Sequence, residues 1–201
     1  MNKLFLAGMV TGKNKSSVTM ETTETTATGD YTETHEVMAP AKLSKEVEVG
    51  NRYKVTGQLA RTEDNITVIV ADKFEQHPDS ELDLNACRIT GKAHRSFEFY
   101  PRTDSQAAFG NLLVSNEENP QLIVRGVAFQ HLGHALDREA KRGSTVQIQG
   151  RIRHRPYEAQ GEKRKMLEII CDPDFTKVLE KAVVVDLFAE EAPAEPEAAA
   201  I

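Results

Sequence analysis

FQHLGHALDREAKRGSTVQIQGRIRHRPY, residues 129–157, joins a run of helical period to a run of strand period. Leu132, Ala135, Leu136 and Ala140 recur at helical spacing among His, Asp, Arg and Glu, which predicts a short amphipathic helix. Arg142-Gly143-Ser144 stops it, because glycine takes the left-handed cap conformation at no steric cost. The strand that follows has two unlike faces. Val146, Ile148 and Ile152 share one parity, while Gln147, Gln149, Arg151, Arg153 and Arg155 share the other, and Tyr157 continues the arginine parity if Pro156 bends the strand without flipping it. Three guanidiniums and a ring on one face suit a polyanion with exposed bases, since arginine neutralises phosphates and the ring offers a stacking surface.

Length allows one large domain or two small ones in these 201 residues. With 39% hydrophobic and 28% charged residues the composition is that of a soluble globular protein. Cys87 and Cys171 each sit inside an apolar strand-like run; two thiols in a chain this long read as reduced core residues of a cytoplasmic protein, not as a disulfide framework. The apolar run Leu4 to Val10 is too short to span a membrane and lacks a cleavage site, so it is expected to be a strand. The net charge of −6 conceals its distribution: residues 1–80 carry −3, residues 81–185 carry +2, and the last sixteen residues carry −5. Local charge is what a phosphate backbone meets, and the basic excess lies in the second half.

Outward from the opening stretch, the order Phe129, helix, Arg142-Gly143-Ser144, Gln149-Gly150-Arg151-Ile152-Arg153 and Tyr157 resembles the bacterial single-stranded DNA-binding protein family. Lys163-Arg164-Lys165 leading into Met166 to Asp172 is similar to that family's last strand, and Met1-Asn2-Lys3-Leu4-Phe5-Leu6-Ala7-Gly8 to its first. The pattern occurs twice. Leu84-Asn85-Ala86-Cys87-Arg88-Ile89-Thr90-Gly91-Lys92 restarts the opening strand, Gly50 to Arg61 repeats the later G-S-x-V pattern, and Asn65 to Asp72 parallels Met166 to Asp172. Two threonine-rich strands joined at Thr28-Gly29-Asp30 and a short connector at Pro40 to Ser44 complete the first unit. The fold expected is therefore all-β: tandem five-stranded OB-fold barrels at 1–76 and 82–181, with a short helix in the second. Residues 75–83 read as a linker, Arg95 to Arg102 as the second strand of the second barrel, and Ala107 to Ser115 and Gln121 to Phe129 as its middle strands. Residues 182–201, rich in Ala, Pro and Glu, read as a disordered acidic tail.

The resemblance implies sequence-independent binding and protection of single-stranded DNA in replication, recombination or repair, and a homodimer presenting four OB-folds. DNA contacts are expected from Arg151, Arg153, Arg155, Tyr157, Lys163, Arg164 and Lys165 on a hairpin arm, and from Phe129 by stacking. Lys92, Arg95, Phe99 and Arg125 join them from the other strands. Where the family has a tryptophan six residues before Phe129, this chain has Ile123, and it contains no tryptophan at all. The acidic tail would bind replication or repair proteins, though it ends in Ile201 without the family's terminal Phe. His131, His134 and His154 lack the further ligands of a metal site, and no phosphate loop, Ser–His–Asp order or carboxylate pair marks an enzyme; no metal or cofactor is expected. Two other readings fit an OB-fold: a protein-interaction scaffold of a primosome-like complex, and an RNA binder.

Overall fold

Apolar residues alternate with polar ones through both halves of the chain, and each alternating run becomes a strand with one face turned inward. The computed structural model describes residues 1–26, 29–100, 109–159 and 161–182. The expected acidic tail beyond Ala182 lies outside the described residues. In the first half, β1 (Asn2–Lys13), β2 (Ser17–Thr26), β3 (Gly29–Met38), α1 (Ala41–Glu46), β4 (Arg52–Arg61) and β5 (Thr67–Gln76) follow in order. Strand β1 pairs with β2, β2 with β3, β3 in parallel with β5, β5 with β4, and β4 returns to β1. That circuit closes an OB-fold barrel.

The second half contains β6 (Leu84–Ala93), β7 (Glu98–Tyr100), β8 (Phe109–Asn116), β9 (Ile123–Phe129), α2 (Gln130–Glu139), β10 (Thr145–Ala159), β11 (Glu162–Cys171) and β12 (Lys177–Glu180). Here β6, β8, β9, β11 and β10 close the same circuit, again with one parallel pair, β9 with β11. The repeat is exact enough to be read residue by residue. Asn2 exchanges two hydrogen bonds with the backbone of Leu59, and Asn85 exchanges two with Ile152. Gly57 and Gly150 occupy the equivalent crossing of β4 and β10, where a Cβ would lie 2.2 Å from the carbonyl oxygen of Val70 or 1.8 Å from that of Ile170. Only glycine fits so close an approach.

The two barrels are joined by backbone. Strands β1 and β6 pair antiparallel from Asn2↔Ile89 to Ala7↔Leu84, as two copies would across a local two-fold axis. The sheet therefore runs through both barrels, with Leu4, Leu6, Met20, Leu59 and Ile69 buried in the first and Ile89, Leu112, Ile148, Ile152 and Ile169 in the second. Each such side chain contributes roughly 1.5–3 kcal/mol by leaving water. The apolar parity of β10 is the buried one, Val146, Ile148 and Ile152 being fully enclosed. Both cysteines are free and buried, and burial pushes the Cys171 thiol up to about 12.

Two expectations require correction. Arg95 to Arg102 is not the second barrel strand: among its described residues only Glu98–Tyr100 pairs, with β8, which itself fills that place in the barrel. The Phe97 amide donates to Ala140 O at 3.0 Å and the Arg142 amide to Ser96 Oγ, so this segment closes the end of α2 instead of a ladder. The linker expected at 75–83 begins later than expected. Strand β5 continues through Gln76, and Arg52 then holds the turn by Nη2 contacts to Asp83 (2.5 Å) and the Glu81 carbonyl (2.9 Å).

Candidate nucleic-acid interface

The outward parity of β8 and β9 forms one face. Strand β9 points Val124, Gly126 and Ala128 into the core, which leaves Ile123, Arg125 and Phe129 outward, and β8 turns Phe109 and Leu113 the same way. Cross-strand register then assembles a row that spacing alone did not reveal. Tyr100 sits opposite Phe109, and Phe109 opposite Phe129, with ring centroids 5.6 and 6.3 Å apart. Tyr100 remains 42% exposed and Phe129 39%, an aromatic surface that the core does not absorb. Its inward neighbour is Phe99, whose ring lies 4.7 Å from that of His134 on α2 and 6.5 Å from buried Phe97. Phe99 is thus a foundation under the row, and Tyr100 takes the exposed place.

Beside the rings, two guanidiniums converge on a buried carboxylate. Glu168 is fully buried on β11; Arg153 of β10 donates to its Oε1 through Nε at 2.7 Å and through Nη2, and Arg125 of β9 has its Nε 3.8 Å from Oε2. A carboxylate without water is tolerable only when paired, and the two arginines meet that need from neighbouring strands. Each guanidinium has five donors, so outer N–H groups remain for a phosphate.

The other expected contacts divide into free and committed groups. Arg155, Tyr157, Lys163 and Lys165 are exposed on the β10–β11 arm, and these three cations pair with no carboxylate among the described residues. Arg164 is exposed there too, with Nη2 2.9 Å from Glu162. Lys92 bonds Thr145 and lies 3.6 Å from Glu180, while Arg95 is held by Glu98 at 2.5 Å and Asn111 at 3.1 Å. Arg151 turns toward the first barrel, where it pairs with Glu24 at 2.7 Å and sits 5.0 Å from the centre of the Tyr31 ring. The expected triplet of equivalent arginines is therefore three different things: a tie between barrels, a partner of Glu168, and a free cation.

The same tie includes a pair of histidines. Glu33 accepts the His154 amide at 3.0 Å, and the His154 and His35 rings are 5.4 Å apart, with Thr22 Oγ1 3.0 Å from His35 Nε2. Burial, and then the neighbouring His154, lower the His35 pKa to about 3; burial also lowers that of His154. These histidines pack two barrels together.

Phe109, Tyr100 and Glu168 were not among the expected site residues. Outward parity with Phe129 was the signal available for Phe109, but only the β8–β9 register makes them neighbours. Among the described residues no group of three or more His, Cys, Asp or Glu side chains could hold a metal ion.

No protein-family model matches the chain, and no curated protein does. Among solved structures it is similar to the wild-type single-stranded DNA-binding protein from Thermus aquaticus, with a TM-score of 0.73 and 14% identity over 90% of this chain and 94% of that one. A deletion mutant of the Thermus aquaticus protein aligns with a TM-score of 0.72 and 15% identity over 92% of this chain and 98% of that one. The two tandem barrels and their mutual arrangement are thus a known architecture.

Proposed function

We propose that this chain binds single-stranded DNA without regard to sequence, as a member of the bacterial family whose fold it shares and whose motifs its second half resembles. The observation that carries the reading is the outward face of β7, β8 and β9. Tyr100, Phe109 and Phe129 stand in cross-strand register beside Arg125 and Arg153, the outer two rings exposed and Phe109 partly buried between them. Unstacked bases lie on the rings while phosphates meet the guanidiniums and the cations of the β10–β11 arm, releasing counterions. Rings accept any base, which is why no sequence preference is expected, and duplex DNA binds poorly because its bases are already stacked.

On this reading the protein protects single strands during replication, recombination or repair in the cytoplasm. It works as a homodimer presenting four barrels, and its acidic tail recruits replication or repair proteins. No helix among the described residues is long and apolar enough to cross a membrane. Titration with oligo-dT at several salt concentrations tests the binding. Saturable binding whose log K falls linearly with log salt, and which exceeds binding to duplex of equal length, is the expected result. Equal affinity for duplex, or a slope near zero, would reject it. Sedimentation equilibrium at micromolar concentration should give twice the chain mass of 22.3 kDa.

A further inference from the structure

A cavity of about 390 Å³ lies where the β2–β3 hairpin of the first barrel meets the start of β6 and the Gly150-Arg151 and Asp172-Pro173 stretches of the second. It is separate from the aromatic face, since no described residue of β7, β8 or β9 lines it. Its charge is lopsided: Glu24, Glu33, Asp83 and Asp172 line it against one cation, Arg151. Two of these carboxylates are answered, Glu24 by Arg151 at 2.7 Å and Asp83 by Arg52 at 2.5 Å. The other two meet no cation among the described residues. The Tyr31 hydroxyl and the His154 amide donate to Glu33, and the Asp174 amide donates to Asp172. Glu33 is only 8% exposed, and a carboxylate so far out of water with none but neutral donors is costly.

The cavity's own geometry shows how it holds a cation. The Arg151 guanidinium sits 5.0 Å from the centre of the Tyr31 ring, whose face attracts positive charge, with Glu24 closing on it. Burial, and then the hydrogen bond to Glu33, hold the Tyr31 hydroxyl above the ordinary phenol range, so it remains a donor. The kind of cation is narrowed by the rest of the lining. A metal ion needs several ligands converging on one point, and no group of three or more His, Cys, Asp or Glu among the described residues does so. Leu84, Ala86, Ile170 and Pro173 give the same cavity an apolar lining. Carboxylates spread among apolar side chains suit a methylene chain that carries an ammonium at each end.

We propose that this cavity binds a small aliphatic diamine or polyamine, with one ammonium on Glu33 and the Tyr31 ring and the other on Asp172. Its walls come from both barrels, so the bound amine ties them along the seam already held by Arg151 and Glu24. The site is independent of single-strand binding and needs no DNA.

Calorimetric titration of the full chain, without DNA, with linear diamines from 1,3-diaminopropane to 1,6-diaminohexane tests it. One site per chain is expected, with affinity peaking at one length, because fixed carboxylates select a spacing. 1-Aminobutane, which has a single ammonium, should bind roughly tenfold more weakly than the best diamine, or worse, having lost one charge-assisted contact. Glu33→Gln and Asp172→Asn keep the shape of each side chain and remove its charge, and each should weaken the best diamine by a similar factor. Asp172 is only partly buried, so its variant tests the site even if Glu33→Gln fails to fold. Affinity independent of diamine length, or abolished by magnesium chloride at equal charge concentration, would mean diffuse attraction to an acidic chain and overturns the proposal. Unchanged binding in Asp172→Asn and in folded Glu33→Gln overturns it too. Binding of a tetralysine peptide but of no diamine would assign the cavity to a basic protein segment and overturn it equally.

Discussion

Strands β2, β3 and β5 of the first barrel and β8, β9 and β11 of the second occupy the same places in two closed circuits, and their outer faces have opposite chemistry. The register makes the comparison residue by residue. Ile69 lies beside Val37 and Leu59, and Ile169 beside Gly126 and Ile152. Stepping along the strands from these anchors, Glu36 stands where the second barrel has Arg125, Val68 where it has Glu168, and Ala60 where it has Arg153. Gln58 replaces Arg151, and buried His35 replaces Val124. Tyr53, the one ring on β4, is buried edge-on against Phe74 and offers nothing to a base. Barrel closure constrains only the inward parity and the glycine crossings; the outward parity is free to specialise. One barrel turned it into a cationic, aromatic surface. The other made it acidic and threonine-rich, and uses the β2–β3 hairpin to hold its neighbour through Glu24, Tyr31, Glu33 and His35.

The largest expected effect tests whether the aromatic row is the site. Replacing Tyr100, Phe109 and Phe129 together by alanine should weaken oligo-dT binding at least 100-fold, since each stacked base is worth roughly 1–3 kcal/mol. The salt slope should barely move, because rings release few counterions. Met38→Ala, near the end of β3, should leave affinity within two-fold. An aromatic triple variant that binds like the parent would transfer the site elsewhere.

Next comes the histidine that replaces Val124. The folded-state pKa of His35, lowered to about 3 chiefly by burial, lies below the ordinary value of about 6.5. The unfolded chain therefore takes up a proton that the folded chain refuses. The stability that depends on a neutral His35 is complete above about pH 6.5 and is lost as pH falls toward 3, at about 1.4 kcal/mol per pH unit. His35→Val, which copies the second barrel, should remove that slope. It sacrifices the Thr22 hydrogen bond, about 1 kcal/mol at neutral pH, and becomes the more stable form below about pH 6. Urea unfolding of both proteins between pH 4 and 7 measures it, and parallel curves would refute it.

A smaller change is expected at the buried carboxylate. Glu168→Val copies Val68 and leaves Arg125 and Arg153 without their shared anion. Both guanidiniums are partly exposed and can turn to water, so the stability loss should be roughly 1–3 kcal/mol instead of the larger cost of a sealed pair. The salt slope for oligo-dT should steepen by about 0.7, as one more cation becomes available to phosphate. Denaturant midpoints and salt titrations report the two effects separately.

The smallest effect should come from the residue that the strand pattern marks most plainly. Arg151→Ala should change oligo-dT affinity less than two-fold, because its guanidinium is committed to Glu24 and Tyr31. Arg155→Ala, one step further along the same parity, should lower the slope by about 0.7. Equal effects from the two would show that the tie to the first barrel opens on binding.

The sequence specified which residues face inward, that the pattern occurs twice, and that a helix follows Phe129. Parity and the repeated M-N…G motif are local signals, written within a few residues of one another; the end of α2 is not, since the helix stops at Glu139 with Ala140 as its cap, before the glycine of Arg142-Gly143-Ser144. It also marked Phe129 and the basic arm, whose chemistry is carried by single side chains in a contiguous run. Tertiary structure alone decided which of those side chains are free. Arg151, Arg153 and Arg155 are indistinguishable along the strand, and they differ because Glu24 arrives from 127 residues away and Glu168 from the neighbouring strand, while no carboxylate among the described residues pairs with Arg155. The same holds for the Tyr100–Phe109–Phe129 row, made by register between strands, and for the tie of Arg151 to Glu24, made by two barrels meeting along β1 and β6. A period of two specifies a face, but which other face it meets depends on strand pairing, and pairing across long loops is not encoded in either strand alone.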